Sequence, residues 1–173
     1  THTHPTLSQI QAELGYGHAN VIQAFEALLT PTHLCLVMEY AAGGSLTAYV
    51  ADKWRKAQEL GLFLAEDEAR YFFKQFLAAV EYCHSHLVAH RDLKLDNTLL
   101  DAADPPALKI CDFGFAKTWS EEANMFTQIG TPVYMSPELI HAKPGEANKG
   151  YDGRSVDVWA SGILLLVMLL GSF

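Results

Sequence analysis

The chain has 173 residues, of which half are apolar and 18% are charged, and its formal net charge at pH 7 is −8. This length and composition predict one globular domain with a hydrophobic core and exclude a largely disordered chain. The negative charge argues against non-specific binding to nucleic acid or to acidic membranes, because both require basic patches.

The three cysteines, at positions 35, 83 and 111, are an odd number and form no CxxC pair. Each lies among apolar residues, so we expect buried, reduced thiols in an intracellular protein that is cytoplasmic, nuclear or both. The longest uninterrupted apolar run, residues 163–170, has eight residues, whereas crossing a bilayer takes roughly 18. We therefore expect no signal peptide, no membrane-spanning segment and no membrane partner.

The first part of the chain predicts a β-hairpin. Residues 1–7 are a polar lead-in, and residues 7–14 have weak helical spacing. Residues 21–29 and 33–40 are rich in apolar side chains and flank a Thr-Pro-Thr turn, which predicts two antiparallel strands. Because residues 34–38 are continuously apolar, we expect the second strand to be buried on both faces.

Three later segments predict helices. Ser45 can cap a short helix that runs to about residue 56, with Trp54 and mixed charges on a solvated face. Residues 66–84 combine an acidic first turn with apolar side chains at three- and four-residue steps. We interpret His84 as a surface or end-of-helix residue and not as a ligand. From Arg154 onward the chain is apolar nearly all round, which is typical of a buried central helix.

The most unusual stretch is residues 90–97, His-Arg-Asp-Leu-Lys-Leu-Asp-Asn. Buried charge is costly unless it is paired or bound to a metal, so this stretch does not suit a core strand. A solvated charge run would have no reason to keep two leucines. We therefore predict an active-site loop, in which the leucines anchor the backbone and the polar side chains point into a cleft.

A second polar element, Asp-Phe-Gly at residues 112–114, follows a predicted hairpin of residues 98–101 and 108–111. Mg²⁺ prefers a few hard oxygen ligands and keeps several of its waters. One carboxylate from Asp112 and one amide oxygen from Asn97 therefore suffice to hold the metal.

Phosphoryl transfer needs two further groups: a cation on the transferred phosphoryl and a base near the attacking hydroxyl. Asp92 and Lys94 are two residues apart, so in an extended loop both side chains face the same way. One can act as the base and the other as the cation. The residues thus predict a site for Mg²⁺ and the phosphates of a nucleotide.

Five motifs occur in a fixed order: His90-Arg91-Asp92 with Asn97, Asp112-Phe113-Gly114, Gly130-Thr131-Pro132, Ser136-Pro137-Glu138, and Asp157-Val158-Trp159. In order and spacing they strongly resemble the eukaryotic protein kinases, and the match covers most of the chain, from about residue 18 to residue 173. The resemblance implies an α+β, two-lobed kinase fold that is truncated. Residues 18–40 would form strands of the N-lobe, residues 41–45 the hinge and residues 46–173 the C-lobe.

The resemblance also implies roles. Asp92 would be the catalytic base and Lys94 would contact the γ-phosphate of ATP. Asn97 and Asp112 would bind Mg²⁺ beside the nucleotide, with a protein as the second substrate. The residues implied around the rest of the nucleotide are Met38 as gatekeeper, Glu39 and Ala41 through hinge backbone groups, Ser45 near the ribose and Leu99 under the adenine.

Three further residues of these motifs have implied structural roles. His90 and Phe113 would stack on each other between the two lobes. Asp157 would anchor the catalytic loop from the buried helix.

Other residues imply the kinase class and its regulation. Lys94 and Thr131 resemble serine/threonine kinases rather than tyrosine kinases. Arg91, before the catalytic aspartate, implies control by a phosphate, whose charge of about −1.5 to −2 would pair with the guanidinium and order the loop. Thr127, four residues before Thr131, matches the usual site, which implies an upstream kinase or phosphatase as a partner.

Within the family, residues 33–44, 90–101, 108–114 and 151–153 resemble plant and green-algal sucrose-non-fermenting-related kinases of the osmotic-stress type. The sequence departs from the family pattern because no Gly-rich phosphate loop and no strand lysine precede residue 18, and because the later C-lobe helices are absent. We therefore expect a fragment of a kinase. The alternative is a pseudokinase or regulatory binding module without catalysis.

Overall fold

A computed structural model describes residue 14 and residues 17–60, 64–118, 125, 127–143 and 150–171. The described residues form seven strands and four helices, which confirms the α+β class. The polar lead-in and all of the predicted first helix except Leu14 lie outside the described residues. Leu14 itself is buried in the main core.

The first sheet is an antiparallel hairpin of β1 (Ala24–Leu29) and β2 (Leu34–Met38). Thr30 closes its turn, because its backbone N–H donates to the carbonyl of His33 over 2.8 Å and its hydroxyl accepts from the His33 N–H over 2.9 Å. The hairpin predicted from the flanking apolar runs is therefore confirmed.

The expectation that β2 is buried on both faces is wrong. Leu34, Val37 and Met38 are 66%, 41% and 41% exposed. Within the described part of the chain β2 pairs only with β1, and the sheet they form is two strands wide. Among the described residues, β2 is therefore paired inside the hairpin but is not covered on both faces.

The second sheet contributes to the main core. Its strands are β3 (Gly44–Ser45), β5 (Thr98–Leu100) and β6 (Leu108–Ile110), all antiparallel and in the order β3-β5-β6. Ser45 pairs directly with Leu99. The sheet thus joins the segment after the hairpin to the two strands that frame the Asp-Phe-Gly turn.

A third sheet flanks the polar loop. It consists of β4 (Val88–Ala89), which ends immediately before residue 90, and β7 (Lys117–Thr118). Because the two short strands pair antiparallel, the start of the polar loop lies beside the chain that follows the Asp-Phe-Gly turn.

The helices are α1 (Leu46–Leu60), α2 (Glu66–Ser85), the short α3 (Pro137–Ile140) and α4 (Gly153–Leu170). Ser45 caps α1 as predicted, since its hydroxyl accepts from the N–H of Ala48 over 3.2 Å.

The predicted apolar stripe of α2 is confirmed: Ala69, Phe72, Phe76, Ala79, Val80 and Cys83 are buried. This face packs against α4, with Leu164 fully buried between them. The two helices form the main core under the second sheet.

The charged neighbours of Trp54 suggested a solvated face, but the structure does not place Trp54 on such a face. The side chain is half-buried and packs against the main core. Its indole lies against Gly171, where a Cβ would come within 1.7 Å of the ring. Gly171 also has a φ of +87°, so the sequence ends α4 with the one residue type that satisfies both constraints.

Helix α4 is long and apolar enough, by length and composition alone, to cross a membrane. Core helices of soluble proteins pass the same test, and 44% of this helix is buried inside the protein. Its buried face carries the polar residues Asp157 and Ser161. Val158, Trp159, Leu166 and Leu170 are exposed, so the helix is buried on one side rather than all round. The absence of a membrane-spanning segment stays a prediction.

The cysteines differ in their surroundings. Cys83 is buried and Cys111 is half-buried, but Cys35 is exposed on β2, against the expectation of three buried thiols. Burial raises the pKa of the Cys83 thiol to about 12 and that of the Cys111 thiol to about 11.

We expect Cys35 to be alkylated first by iodoacetamide at pH 8, with Cys111 much slower and Cys83 slowest. The thiolate is the nucleophile, and at this pH only about one Cys111 thiol in a thousand and one Cys83 thiol in ten thousand would be ionised. Mass spectrometry of timed samples measures the three rates. Raising the pH towards 11 should accelerate Cys111, and equal rates for Cys35 and Cys111 at pH 8 would contradict the expectation.

Candidate active site

The polar loop, residues 90–97, is fixed to the core by its leucines. Leu93 and Leu95 are 2% and 4% exposed and belong to the main core, as predicted. A 3-10 turn, Leu95–Asn97, ends the loop and leads into β5. The polar side chains next to the leucines are therefore carried by a fixed backbone.

The carboxylate of Asp157 holds the start of the loop from below. It is 1% exposed and accepts the backbone N–H of His90 over 2.9 Å and that of Arg91 over 2.8 Å. Arg91 has a φ of +68°, a conformation that costs a non-glycine residue roughly 1–3 kcal/mol. The structure thus brings Asp157 to the loop, and the two hydrogen bonds offset the strain at its second residue.

His84 provides a third donor to the same carboxylate. Its Nε2 lies 2.8 Å from Oδ2 of Asp157, and its side chain is only 16% exposed. Of the two positions expected for His84, the structure therefore shows the end of the helix and not the exposed surface. The sequence did contain a signal, because His84 follows the buried Val80 by four residues on α2 and hence shares its face.

His90 is held as a neutral ring. Its Nε2–H donates to the carbonyl of Cys111 over 3.0 Å, and its Nδ1 accepts the N–H of Asp92 at 3.3 Å. Because Nδ1 acts as an acceptor it carries no proton, and burial lowers the pKa of the imidazole. The ring lies 4.8 Å from that of Phe113, which is fully buried. The predicted pair is therefore brought together.

Asp92 and Lys94 meet as the spacing predicts. Lys94 Nζ lies 2.8 Å from Oδ2 of Asp92. The same oxygen accepts from Nδ2 of Asn97 over 3.0 Å, and this amide also donates to the Asp92 carbonyl over 2.9 Å. The carboxylate is only 5% exposed, so these donors stabilise its charge.

Thr131 completes this cluster from a distant part of the chain. Its hydroxyl donates to Oδ1 of Asp92 over 2.8 Å and accepts from Nζ of Lys94 over 2.8 Å. The preceding Gly130 has a φ of +117°, and a Cβ there would lie 2.9 Å from the carbonyl of Arg91. Glycine is therefore required for the Thr131 segment to approach the loop this closely.

Asp112 lies in a tight turn with its side chain exposed. It has a φ of +59° and its Oδ1 accepts the N–H of Gly114 over 3.2 Å. A Cβ on Gly114 would lie 2.8 Å from that oxygen. The left-handed residue of the turn is thus the aspartate, and the glycine supplies space rather than backbone freedom.

Asn97 and Asp112 lie on neighbouring segments, since the N–H of Cys111 donates to the Asn97 carbonyl over 2.9 Å. The amide nitrogen of Asn97 is engaged twice by Asp92, so its orientation is fixed. Within the described ranges no residue donates to its Oδ1, which leaves one amide oxygen and one exposed carboxylate. This donor set fits Mg²⁺. The described residues contain no group of three or more His, Cys, Asp or Glu that could hold a metal ion.

Two of the residues assigned to the adenosine part of the nucleotide are adjacent. Ser45 pairs with Leu99 between β3 and β5, and the N–H of Gly43 donates to the carbonyl of Leu100 over 2.8 Å. Ala41 is buried at the start of this segment. The segment after the hairpin is therefore fixed above β5.

Met38 and Glu39 are tied to the other side of the hairpin. Met38 pairs with Ala24. The carboxylate of Glu39 accepts the N–H of Gln23 over 2.7 Å and forms an ion pair with Lys109 at 3.0 Å. The side chain of Glu39 is thus engaged, which is compatible with a role of its backbone alone.

Arg91 points to the chain that follows the Asp-Phe-Gly turn. Its Nε donates to the carbonyl of Phe115 over 2.8 Å, and its Nη1 lies 3.2 Å from the hydroxyl of Tyr151. Tyr151 donates in turn to the backbone carbonyl of Thr127 over 2.8 Å. Arg91 and the exposed Thr127 are therefore two hydrogen bonds apart. The position of Tyr151 between them does not follow from the motifs.

Comparison with known proteins agrees with the motifs. Residues 3–173 match the protein kinase domain family. Serine/threonine-protein kinase SRK2C of Arabidopsis thaliana is 47% identical over 156 residues, which are 90% of this chain and 41% of the relative. The corresponding values are 47%, 90% and 42% for SAPK3 of Oryza sativa subsp. indica, and 46%, 90% and 41% for SRK2A of Physcomitrium patens.

The resemblance to plant serine/threonine kinases is thereby confirmed. The chain spans about two fifths of the length of the curated relatives it matches. The family match extends over nearly all of its residues, including those of the polar loop and of the Asp-Phe-Gly turn. The chain belongs to the protein kinase domain family.

Proposed function

We propose that this protein is an ATP-dependent serine/threonine kinase that transfers the γ-phosphate to hydroxyls of a protein substrate with the help of Mg²⁺. The observation that carries the proposal is the cluster of Asp92, Lys94 and Thr131, joined by three contacts of 2.8 Å. The names of the relatives support the choice of serine and threonine as acceptors.

Asp92 is the proposed base. Its Oδ2 already accepts from Lys94 and Asn97, whereas its Oδ1 accepts only from Thr131 among the described residues. Oδ1 therefore has room for one more hydrogen bond. We assign to it the proton of the attacking hydroxyl, which it would orient and then accept.

Lys94 is the proposed cation at the transferred group. An ammonium has three N–H donors, and two of them point to Asp92 and Thr131. The third is left to bind an oxygen of the γ-phosphate. Held in this way, the ammonium would stabilise the charge of the transition state without reorganising.

Asn97 and Asp112 are the proposed ligands of the metal. When bound, Mg²⁺ would neutralise charge on the β- and γ-phosphates. Asn97 contributes Oδ1 in an orientation fixed by its bonds to Asp92, and Asp112 contributes an exposed carboxylate. Asn97 would thereby link the metal to the proposed base.

The remainder of the nucleotide is assigned by the resemblance and supported by the position of the hinge segment. Ala41 and Glu39 would bind adenine through backbone groups, and Met38 would lie at its back edge. The pairing of Ser45 with Leu99 supports a ribose site next to the surface on which adenine would stack.

Thr127 is the proposed regulatory phosphorylation site. It is exposed and lies close to Arg91 through Tyr151. A phosphate here would add two or three acceptors for the guanidinium and draw the segment towards the catalytic loop. The reaction would require an upstream kinase or autophosphorylation, and a phosphatase would reverse it.

Replacing the proposed base should abolish transfer while sparing the fold. We expect Asp92→Asn to lower kcat by about a hundredfold or more, because the amide keeps the shape of the side chain but cannot take up the proton. Phosphate transfer to a serine peptide, circular dichroism and calorimetric ATP binding measure the three properties. Asp67→Asn, on the exposed first turn of α2, is the control for the loss of charge.

Full activity of Asp92→Asn would exclude this residue as the base. Nucleotide binding by the wild-type protein without any transfer, across a panel of serine and threonine peptides, would instead favour the pseudokinase alternative.

Removing the proposed metal ligand should abolish the metal dependence of ATP binding. Calorimetric titration of the wild-type chain is expected to show tighter ATP binding with Mg²⁺ than with EDTA. Asp112→Ala should remove this difference, because a carboxylate is the main charged ligand that Mg²⁺ finds in the site. Asp67→Ala should preserve it. A difference that survives in Asp112→Ala would contradict the assignment.

The proposed switch predicts that Thr127→Ala lowers basal activity. The substitution removes the phosphate acceptor and hence the charge that would pair with Arg91. Activity and phosphate content, the latter by intact mass, are compared with those of the wild-type protein after identical expression. Unchanged values of both would refute the switch.

A further inference from the structure

Tyr151 is a buried tyrosine whose hydroxyl lies where three functional segments meet. The residue is 2% exposed and precedes α4. Its ring packs in a second, smaller core, made of Ala89, Met125, Leu139, Ala142 and Val156. Ring packing alone would be served equally well by phenylalanine, so the hydroxyl needs a separate explanation.

The hydroxyl bonds to two different segments. It donates to the backbone carbonyl of Thr127 over 2.8 Å and lies 3.2 Å from Nη1 of Arg91. Arg91 in turn donates from Nε to the carbonyl of Phe115. The catalytic loop, the end of the Asp-Phe-Gly turn and the segment that leads to Thr131 are therefore joined through one phenol and one guanidinium.

The backbone of Tyr151 secures the same segment a second time. Its N–H donates to the carbonyl of Met125 over 2.8 Å, and its carbonyl accepts the N–H of Met125 over 2.9 Å. The segment is thus fixed at residue 125 by backbone and at residue 127 by the phenol. Only three residues separate Thr127 from Thr131, so the phenol restricts the point from which the Thr131 hydroxyl reaches Asp92.

We propose that Tyr151 is a positioning residue for phosphoryl transfer. Its hydroxyl links Arg91 to Thr127, and this link keeps Thr131 in contact with Asp92 and Lys94 before any phosphate is added. The inference rests on the proposed kinase function and extends it, because it assigns the alignment of the base to a residue that touches neither substrate.

Loss of the hydroxyl has two consequences. The guanidinium loses one acceptor, and the carbonyl of Thr127 loses its donor, since the described residues offer no other. A hydrogen bond to a charged group is worth a factor of about ten or more in an equilibrium. The contact of Thr131 with Asp92 should therefore be formed in a smaller share of the molecules.

The test compares Tyr151→Phe with Tyr49→Phe in the active protein. Tyr49 also donates its hydroxyl to a partner, Glu68, but lies on α1 away from the catalytic loop, so it controls for the loss of a phenol hydrogen bond. We expect Tyr151→Phe to lower kcat about tenfold, with KM for ATP close to the wild-type value and a melting temperature similar to that of Tyr49→Phe. Tyr49→Phe should leave kcat unchanged.

A second measurement needs no activity. Hydrogen exchange of the amides of Met125 and Tyr134, which bond to the carbonyls of Tyr151 and Thr131, reports on the segment at both ends. We expect faster exchange in Tyr151→Phe and unchanged exchange in Tyr49→Phe. If the wild-type protein transfers no phosphate, the proposed function fails, while the exchange rates still decide whether the phenol holds the segment.

Two results would overturn the inference. One is an unchanged kcat together with unchanged exchange. The other is a uniform loss in Tyr151→Phe, in which ATP binding falls together with kcat and the melting temperature falls well below that of Tyr49→Phe. This would indicate a role in the stability of the small core and not in alignment.

Discussion

The site depends on one buried carboxylate, that of Asp157. A charge that is 1% exposed is tolerated only where donors surround it, because an uncompensated buried charge costs several kcal/mol. Two of its donors are consecutive backbone N–H groups of the polar loop, and the third is the imidazole of His84. Folding of α4 into the core therefore obliges the loop to adopt the conformation that turns Asp92 towards Lys94.

The leucines of the polar loop impose a second constraint. Leu93 and Leu95 are buried, so the backbone is fixed by apolar packing between the residues that carry charge. Buried leucines alternate with polar residues in this loop. The leucines can therefore pack in the hydrophobic core while the polar side chains next to them face the cleft. The alternation also explains why charges are concentrated at a place where a simple core strand would exclude them.

The sequence predicted the features that depend on neighbouring residues. The α2 stripe, the hairpins and the contact of Asp92 with Lys94 follow from local spacing, and the structure contains them. The exposure of β2, the burial of Trp54 and the contact of His84 with Asp157 depend on which distant elements pack together. Periodicity describes one element at a time and has no information about its partner. The expectations for β2 and Trp54 were therefore wrong, and the contact of His84 was not predicted, for the same physical reason.

The contact of Thr131 with Asp92 and Lys94 cannot be predicted from local spacing. The hydroxyl comes from a residue 39 positions after Asp92. The order of the motifs indicates the family but does not show that these two residues are in contact. Contact requires a glycine at position 130 that allows the close approach, and a fixed segment upstream of it. Tyr151 bonds to that segment at Thr127, and Arg91 bonds to Tyr151. The alignment of the proposed base is therefore a property of the whole loop assembly, and the residues that confer it are recognised from the path of the hydrogen bonds rather than from the spacing of the motifs.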